Sequence, residues 1–301
     1  MAGFSATDAA LEGFRIARER PRKLLAASIF MFLVSVLQVV IEVNMPDEAR
    51  AALAALGGQE TLEAGPFFEA LTILSPLLFF SLLVQCMMAA AIYRVLLRGQ
   101  TGSIRLFRIG PVEFRLMALA LIYVVLFALF MAAITLVGMI LVMLVSGLGE
   151  GVAMFVGTLA WLCAVGLTVF VGVRLSLAPV ITFDREKLAL FDSWTVTRGQ
   201  FWRLAGAYVL TLSLIVVVAL VAILVFLPAA GIAVMVSGGS LADVWQTFAL
   251  PEEQTLSAYF QPIRVAYMLV SSVFSAFWYA VIAAPGAYAY RALTSQPPPA
   301  A

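Results

Sequence analysis

Six long apolar runs dominate the sequence and limit the folds that it can adopt. A helix that crosses the roughly 30 Å hydrocarbon core of a membrane needs about 20 mostly apolar residues. Each run reaches that length, and none shows the alternation of polar and apolar residues that is typical of barrel strands. The sequence therefore predicts an all-α, polytopic membrane protein with six transmembrane helices. The predicted helices are 24–43, 68–93, 116–145, 152–173, 204–227 and 265–290.

The composition excludes several classes of protein. Hydrophobic residues make up 63% of the 301 residues and charged residues only 12%, whereas a soluble domain carries about 25% charged residues. An ordinary soluble domain, a disordered chain and a basic nucleic-acid-binding protein are therefore excluded. The chain has no histidine, which removes the commonest general base and the commonest metal ligand. We expect no metal, no cofactor, no nucleic-acid partner and no enzymatic activity.

Basic residues are distributed unequally among the links between the runs. Of the 18 lysines and arginines, all but Arg50 and Arg264 lie before the first run, between runs 2 and 3, between runs 4 and 5, or after run 6. Since cytoplasmic loops carry the excess of basic residues, both termini are predicted to be cytoplasmic. The excess of arginine over lysine suggests a bacterium, and hence its inner membrane. The predicted parts are a cytoplasmic amphipathic segment at 1–23, the six-helix domain at 24–291 and a Pro-rich cytoplasmic tail at 292–301.

A threefold internal repeat is a further prediction. Each odd-numbered run opens with a leucine that follows an aromatic residue by nine or ten positions, and these aromatic residues are Phe14, Phe107 and Trp194. Each even-numbered run ends in an arginine; these are Arg94, Arg174 and Arg291. The predicted unit is a short amphipathic helix followed by a transmembrane hairpin. Alternatively, the arginines reflect only the cytoplasmic bias of basic residues.

A few polar residues interrupt the apolar runs. Arg174 stands at the end of the fourth run, where a charge is either functional or marks the headgroup boundary and binds lipid phosphate. Gln38 and Glu42 are four residues apart and share a helix face. Together with Gln85 they form a candidate intramembrane polar site. Alternatively, Glu42 is interfacial or pairs with Arg264, and Gln85 forms a hydrogen bond between helices.

One stretch resembles a known family. The sequence SWTVTRGQFWRL at 193–204, preceded by VRLSLAP at 173–179, resembles the membrane domain attached to some bacterial glycerophosphoryl diester phosphodiesterases. The resemblance implies a stand-alone membrane module, because the histidines and the soluble barrel that carry the reaction are missing. No catalytic residue is carried over.

The same stretch is chemically suited to a membrane interface. Aromatic residues are enriched at the headgroup level, and basic residues there attract anionic lipids. The candidate headgroup residues are Arg174, Trp194, Arg198, Phe201, Trp202 and Arg203. Thr197 and Gly199 are predicted to end a surface helix before the fifth run begins.

The sequence leaves three functions open. The favoured one is a non-enzymatic inner-membrane protein that engages anionic phospholipid or a partner protein through its basic cytoplasmic face, in envelope organisation or lipid handling. The second is a transporter, channel or lipid-translocating protein. The third is the membrane subunit of a larger complex, recognisable by a soluble partner that co-purifies.

Overall fold

The computed structural model describes residues 4–57, 64–100, 104–236 and 255–294. These residues form α-helices and two short 3-10 turns, with no strand in the described ranges. The 3-10 turns lie at Ile104–Phe107 and Ser146–Leu148. The helices are α1 (Ala6–Glu19), α2 (Pro21–Val43), α3 (Asp47–Gly57), α4 (Ala64–Leu97), α5 (Pro111–Val145), α6 (Glu150–Leu175), α7 (Ala178–Arg185), α8 (Asp192–Val196), α9 (Phe201–Val236), α10 (Leu256–Tyr259) and α11 (Pro262–Leu293).

Six of these helices are long and apolar enough to cross a membrane. They are α2, α4, α5, α6, α9 and α11. Each contains one predicted run, so the prediction of an all-α, six-helix membrane protein is confirmed. Several helices extend beyond their runs into polar sequence. For example, α5 begins at Pro111 rather than at 116, because proline suits the first turn of a helix, where its missing N–H is not needed.

The packed core lies at one end of the bundle. We call it the basic end, because α4 and α6 end there in arginines and the basic links join the helices there. The main cluster of buried side chains combines α1 with the ends of α4, α5, α6, α9 and α11 and with Val180, Ile181 and Phe183 of α7. By contrast, the stretch from 120 to 172, most of the α5–α6 hairpin, contains no buried residue. The hairpin therefore exposes apolar surface that suits lipid rather than water.

Helix α1 packs into the basic end against α9 and α11. Gly13 makes this possible: a Cβ on it would lie only 2.5 Å from the Cα of Val281. Phe14 packs edge-on against Phe277 of α11. The first segment is thus an amphipathic helix whose small-residue face is covered by the bundle.

Basic side chains donate hydrogen bonds to carbonyls at and just after the end of α4. A helix leaves its last carbonyls without partners, and cations near them are favourable. Arg20 donates to the carbonyl of Val95 at 3.0 Å, Lys23 to that of Gln100 at 2.7 Å and Arg291 to that of Leu96 at 3.3 Å. Some residues that the sequence assigns to membrane orientation therefore also hold three segments together.

The structure describes the predicted repeat unevenly. The segment before α2 is the 14-residue helix α1, the described part of the segment before α5 contains one 3-10 turn, and the segment before α9 contains α7 and α8. The three transmembrane hairpins follow in the predicted order. Threefold repetition of the whole unit stays a prediction. The first two residues of the tail predicted at 292–301 belong to α11, which ends at Leu293, and its residues beyond 294 lie outside those described.

Candidate functional site

A break between α6 and α7 shapes the site. Pro179 has no N–H, so the carbonyl four residues earlier, at Leu175, loses its helical partner. Helix α6 ends at Leu175, and α7 restarts at Ala178. The Tyr123 hydroxyl on α5 donates a 2.5 Å hydrogen bond to the Leu175 carbonyl. This contact ties α5 to the break.

Arg174 lies beside the same break. Its guanidinium carbon is 5.4 Å from the ring centre of Phe170 and 5.3 Å from that of Trp194, within the range of a cation–π interaction. Its backbone carbonyl accepts hydrogen bonds from Ser193 at 2.7 Å and Thr197 at 3.2 Å. The two hydroxyls therefore complete the end of α6, which explains why both residues are fully buried.

The family-like stretch forms a corner between α8 and α9. Gly199 takes a left-handed conformation with φ of +76°, which glycine adopts without steric cost. This confirms the predicted end of the surface helix. Beyond the corner, Phe201 contacts the Phe170 ring at 5.2 Å, and Trp202 is 83% exposed.

The two basic residues of the stretch point outward. Arg198 and Arg203 are exposed, and Arg203 also donates to the Gln200 side chain at 3.2 Å. Of the predicted headgroup residues, Arg174, Trp194 and Phe201 contact the ring of Phe170, and Trp202 joins them through its contact with Phe201. Phe170 is not predictable from the sequence, because an aromatic residue inside an apolar run carries no distinguishing signal.

A large apolar groove adjoins this aromatic cluster. It has a volume of about 730 Å³ and lies between α5 and α6, reaching the basic end at Phe191 and Trp194. Its walls include Tyr123, Phe127, Phe130, Val171, Gly172, Leu175 and Pro179. A side chain on Gly172 would enter open space. We call this space the lateral groove.

A smaller cleft of about 360 Å³ lies on the other side of Tyr123. It is surrounded by α4, α5, α9 and α11, with the α6–α7 break as a fifth wall. Its polar lining consists of Gln85, Cys86, Tyr93, Tyr123, Ser176, Tyr208 and Tyr279. We call this space the central cleft. It shares Tyr123, Ser176 and Pro179 with the lateral groove.

The residues of the predicted intramembrane polar site fall in two places. Gln85 lines the central cleft, whereas Gln38 is exposed on α2 and does not line it. Glu42 lies near Tyr259, and burial together with this carboxylate raises the pKa of the Tyr259 phenol to about 12. The structure therefore places Glu42 with α10 and Gln85 in the cleft.

A buried ion pair joins α4 and α5 at the basic end. Arg94 of α4 donates to Glu113 of α5, and its second terminal nitrogen donates to the Leu106 carbonyl at 2.5 Å. Both charged side chains are about 1% exposed. In the sequence Arg94 indicates only orientation and a possible repeat, and Glu113 does not stand out. A carboxylate in the first turn after a proline was the available hint.

A second ion pair lies at the surface. Arg98 binds Glu186 at 2.8 Å, and Arg115 lies 4.0 Å from the same carboxylate. The hydrogen bond from Arg98 holds the pKa of Glu186 below its usual value. Glu186 has φ of +53°, unusual for a residue other than glycine, so the ion pair accompanies a strained turn.

Comparison with known proteins finds no relative: no family model, no curated protein and no solved structure matches the chain. The resemblance to the phosphodiesterase membrane domain therefore stays a prediction. Among the described residues, no group of three or more Cys, Asp or Glu side chains could hold a metal ion.

Proposed function

We propose that the protein is a non-enzymatic, multi-pass protein of a bacterial inner membrane that binds an anionic phospholipid at the lateral groove. In this proposal the basic end and both termini face the cytoplasm. The observation that carries the proposal is an apolar groove of about 730 Å³ between two membrane-spanning helices, next to exposed arginines.

The position of the groove determines what can fill it. Its walls belong to α5 and α6, at a depth where a membrane supplies hydrocarbon rather than water. An acyl chain matches an apolar lining, and the volume of the groove is within the range of about 300–1,000 Å³ that is typical of small-molecule sites. The groove therefore suits the chains of a lipid from the surrounding bilayer.

The charges at the mouth select the headgroup. Arg198 and Arg203 are exposed near the Trp194 end of the groove, so they can meet a phosphate. Arg174 is half-buried against two aromatic rings, so it positions Trp194 rather than reaching outward. Trp202 anchors this corner at the headgroup level. This arrangement favours an anionic phospholipid over a zwitterionic one.

Native mass spectrometry of the gently solubilised protein with added phosphatidylglycerol tests the proposal. Each arginine near an anionic headgroup contributes about 1 kcal/mol, so the double substitution Arg198→Gln/Arg203→Gln should weaken binding roughly 10- to 30-fold. The matched control is Arg18→Gln/Arg22→Gln, which removes two exposed charges from α1 and α2.

The control should retain wild-type binding. Equal losses in both double variants would refute specific headgroup recognition and leave only nonspecific attraction. A wild-type protein that carries no lipid but retains a soluble protein would favour the membrane-subunit alternative.

A further inference from the structure

The central cleft differs chemically from the lateral groove. Gln85, Tyr208 and Tyr279 bring hydrogen-bonding groups into it, and no charged side chain lines it. Two charged residues, Arg94 and Glu113, are close in sequence to residues that line the cleft, but they are paired with each other. A charged phosphate in the cleft would therefore lose its hydration without gaining a counterion, which is strongly unfavourable.

Some polar groups of the cleft have no partner in the protein. Within the part of the chain that the structure describes, the Gln85 amide and the Tyr279 hydroxyl form no hydrogen bond. Such groups are costly at membrane depth unless something satisfies them. By contrast, the Tyr123 hydroxyl donates to Leu175 and the Ser176 hydroxyl to Val173. The free groups are thus concentrated on α4 and α11.

We propose that the central cleft is a second ligand site, which binds the hydroxyl and ester region of an uncharged lipid such as a diacylglycerol. This site is separate from the phospholipid site proposed for the groove. The two proposals share only the premise that the six long helices span a membrane. The free amide and phenol groups bind the hydroxyl and carbonyl oxygens of the ligand. The apolar remainder of the lining, including Leu82, Ile282 and Ala283, contacts its chains.

The cleft is a suitable size for the hydroxyl and ester region of this ligand. Its volume of about 360 Å³ is in the range of ligand sites but half that of the groove. Tyr123 and Pro179 separate the two spaces, so each can be filled without the other. The pairing of an uncharged site with a charge-flanked one lets a single protein distinguish two lipid classes.

Photocrosslinking of the full chain in nanodiscs tests the proposal. The probes are a diacylglycerol with a diazirine next to the ester carbonyl and a phosphatidic acid with the same chains. Crosslinked residues are mapped by mass spectrometry after digestion. We expect the diacylglycerol to label cleft residues on α4 and α11 at least fivefold more than the phosphatidic acid does.

Two kinds of variant separate the sites. Ala283→Leu fills the cleft and should abolish its labelling by diacylglycerol, whereas Gly172→Leu fills only the groove and should leave that labelling intact. Gln85→Leu and Tyr279→Phe each remove one hydrogen-bonding partner, and each should reduce labelling roughly three- to tenfold. These two changes are mild enough to test the site even if Ala283→Leu disturbs folding.

Several results would overturn the inference. The proposal excludes a charged headgroup from the cleft, so equal labelling by both probes contradicts it. No labelling of the cleft by either probe means that water alone satisfies its polar groups. Absence of diacylglycerol labelling in the cleft, while Arg198→Gln/Arg203→Gln still weakens phosphatidylglycerol binding, would refute this inference and leave the proposed function standing. The reverse pattern would refute only the proposed function.

Discussion

Loss of either member of the Arg94–Glu113 pair should strongly destabilise the protein, whereas replacement of both by apolar residues should be tolerated. Both side chains are about 1% exposed, and Arg94 also donates to the Leu106 carbonyl. Removing one member of such a pair leaves an uncompensated buried charge, which costs about 3–5 kcal/mol. Glu113→Gln keeps the shape of the side chain and removes only its charge. It should lower the melting temperature by about 6–10 °C, at about 2 °C per kcal/mol.

The native cysteines provide the assay. Cys86 is buried next to the cleft and Cys163 is exposed, and neither forms a disulfide. In a Cys163→Ser background, a maleimide dye reports unfolding as Cys86 becomes accessible. The double variant Arg94→Met/Glu113→Leu removes both charges and should recover most of the loss, because apolar replacement of a buried pair is often neutral. An unchanged melting temperature in Glu113→Gln, or no recovery in the double variant, would refute the reasoning.

Three further outcomes follow from individual contacts. Gly13→Ala should destabilise the folded protein by about 1–3 kcal/mol, because the new Cβ would lie 2.5 Å from the Val281 Cα. Gly206→Ala is the control and should be neutral, since the nearest atom to its Cβ would be 3.9 Å away. Equal melting temperatures of the two variants would contradict the packing described for α1. Tyr123→Phe should lower the free energy of unfolding by about 1–3 kcal/mol, because it leaves the Leu175 carbonyl without a hydrogen bond. Tyr288→Phe should leave the free energy of unfolding unchanged, and thermal unfolding of both variants measures the difference. Because the pKa of Glu186 is lowered in the folded state, its stabilising effect is present above the ordinary glutamate pKa of about 4.3 and is lost as pH falls through the folded value. Melting curves from pH 7 to 3 should therefore converge for wild type and Glu186→Gln at the acid end, and a constant gap would exclude the ion pair.

The transmembrane helices were predictable because the membrane restricts the chain so strongly. A spanning segment must satisfy its backbone internally, so hydropathy and length alone locate the helices. The corner at Gly199 was predictable for a related reason, since a glycine after a short helix is typical of its end. These features depend on residues that are neighbours in the sequence.

The site could not be predicted to the same extent, because its parts come from distant segments. Tyr123 binds the Leu175 carbonyl, and these residues lie 52 positions apart. The hydropathy pattern of the sequence does not indicate which tyrosine donates to the carbonyl that Pro179 leaves without a helical partner. Similarly, the arginines at the basic end satisfy the positive-inside rule whether they face lipid or cap a helix. Only the packed structure distinguishes their roles. Arg20 donates a hydrogen bond to a carbonyl in the last turn of α4, whereas Arg198 is exposed.

Occupation of the lateral groove by an acyl chain is the central claim, and groove filling tests it most directly. Gly172 lines the groove and Gly166 on the same helix does not; a side chain on either enters open space. Nanodiscs containing phosphatidylglycerol with a diazirine near the chain terminus would be irradiated, and labelled residues mapped for wild type, Gly172→Leu and Gly166→Leu. We predict labelling of Phe127 and Val171 that falls at least fivefold in Gly172→Leu and persists in Gly166→Leu. Equal labelling in all three proteins, or labelling spread evenly over α2 and α11, would contradict it.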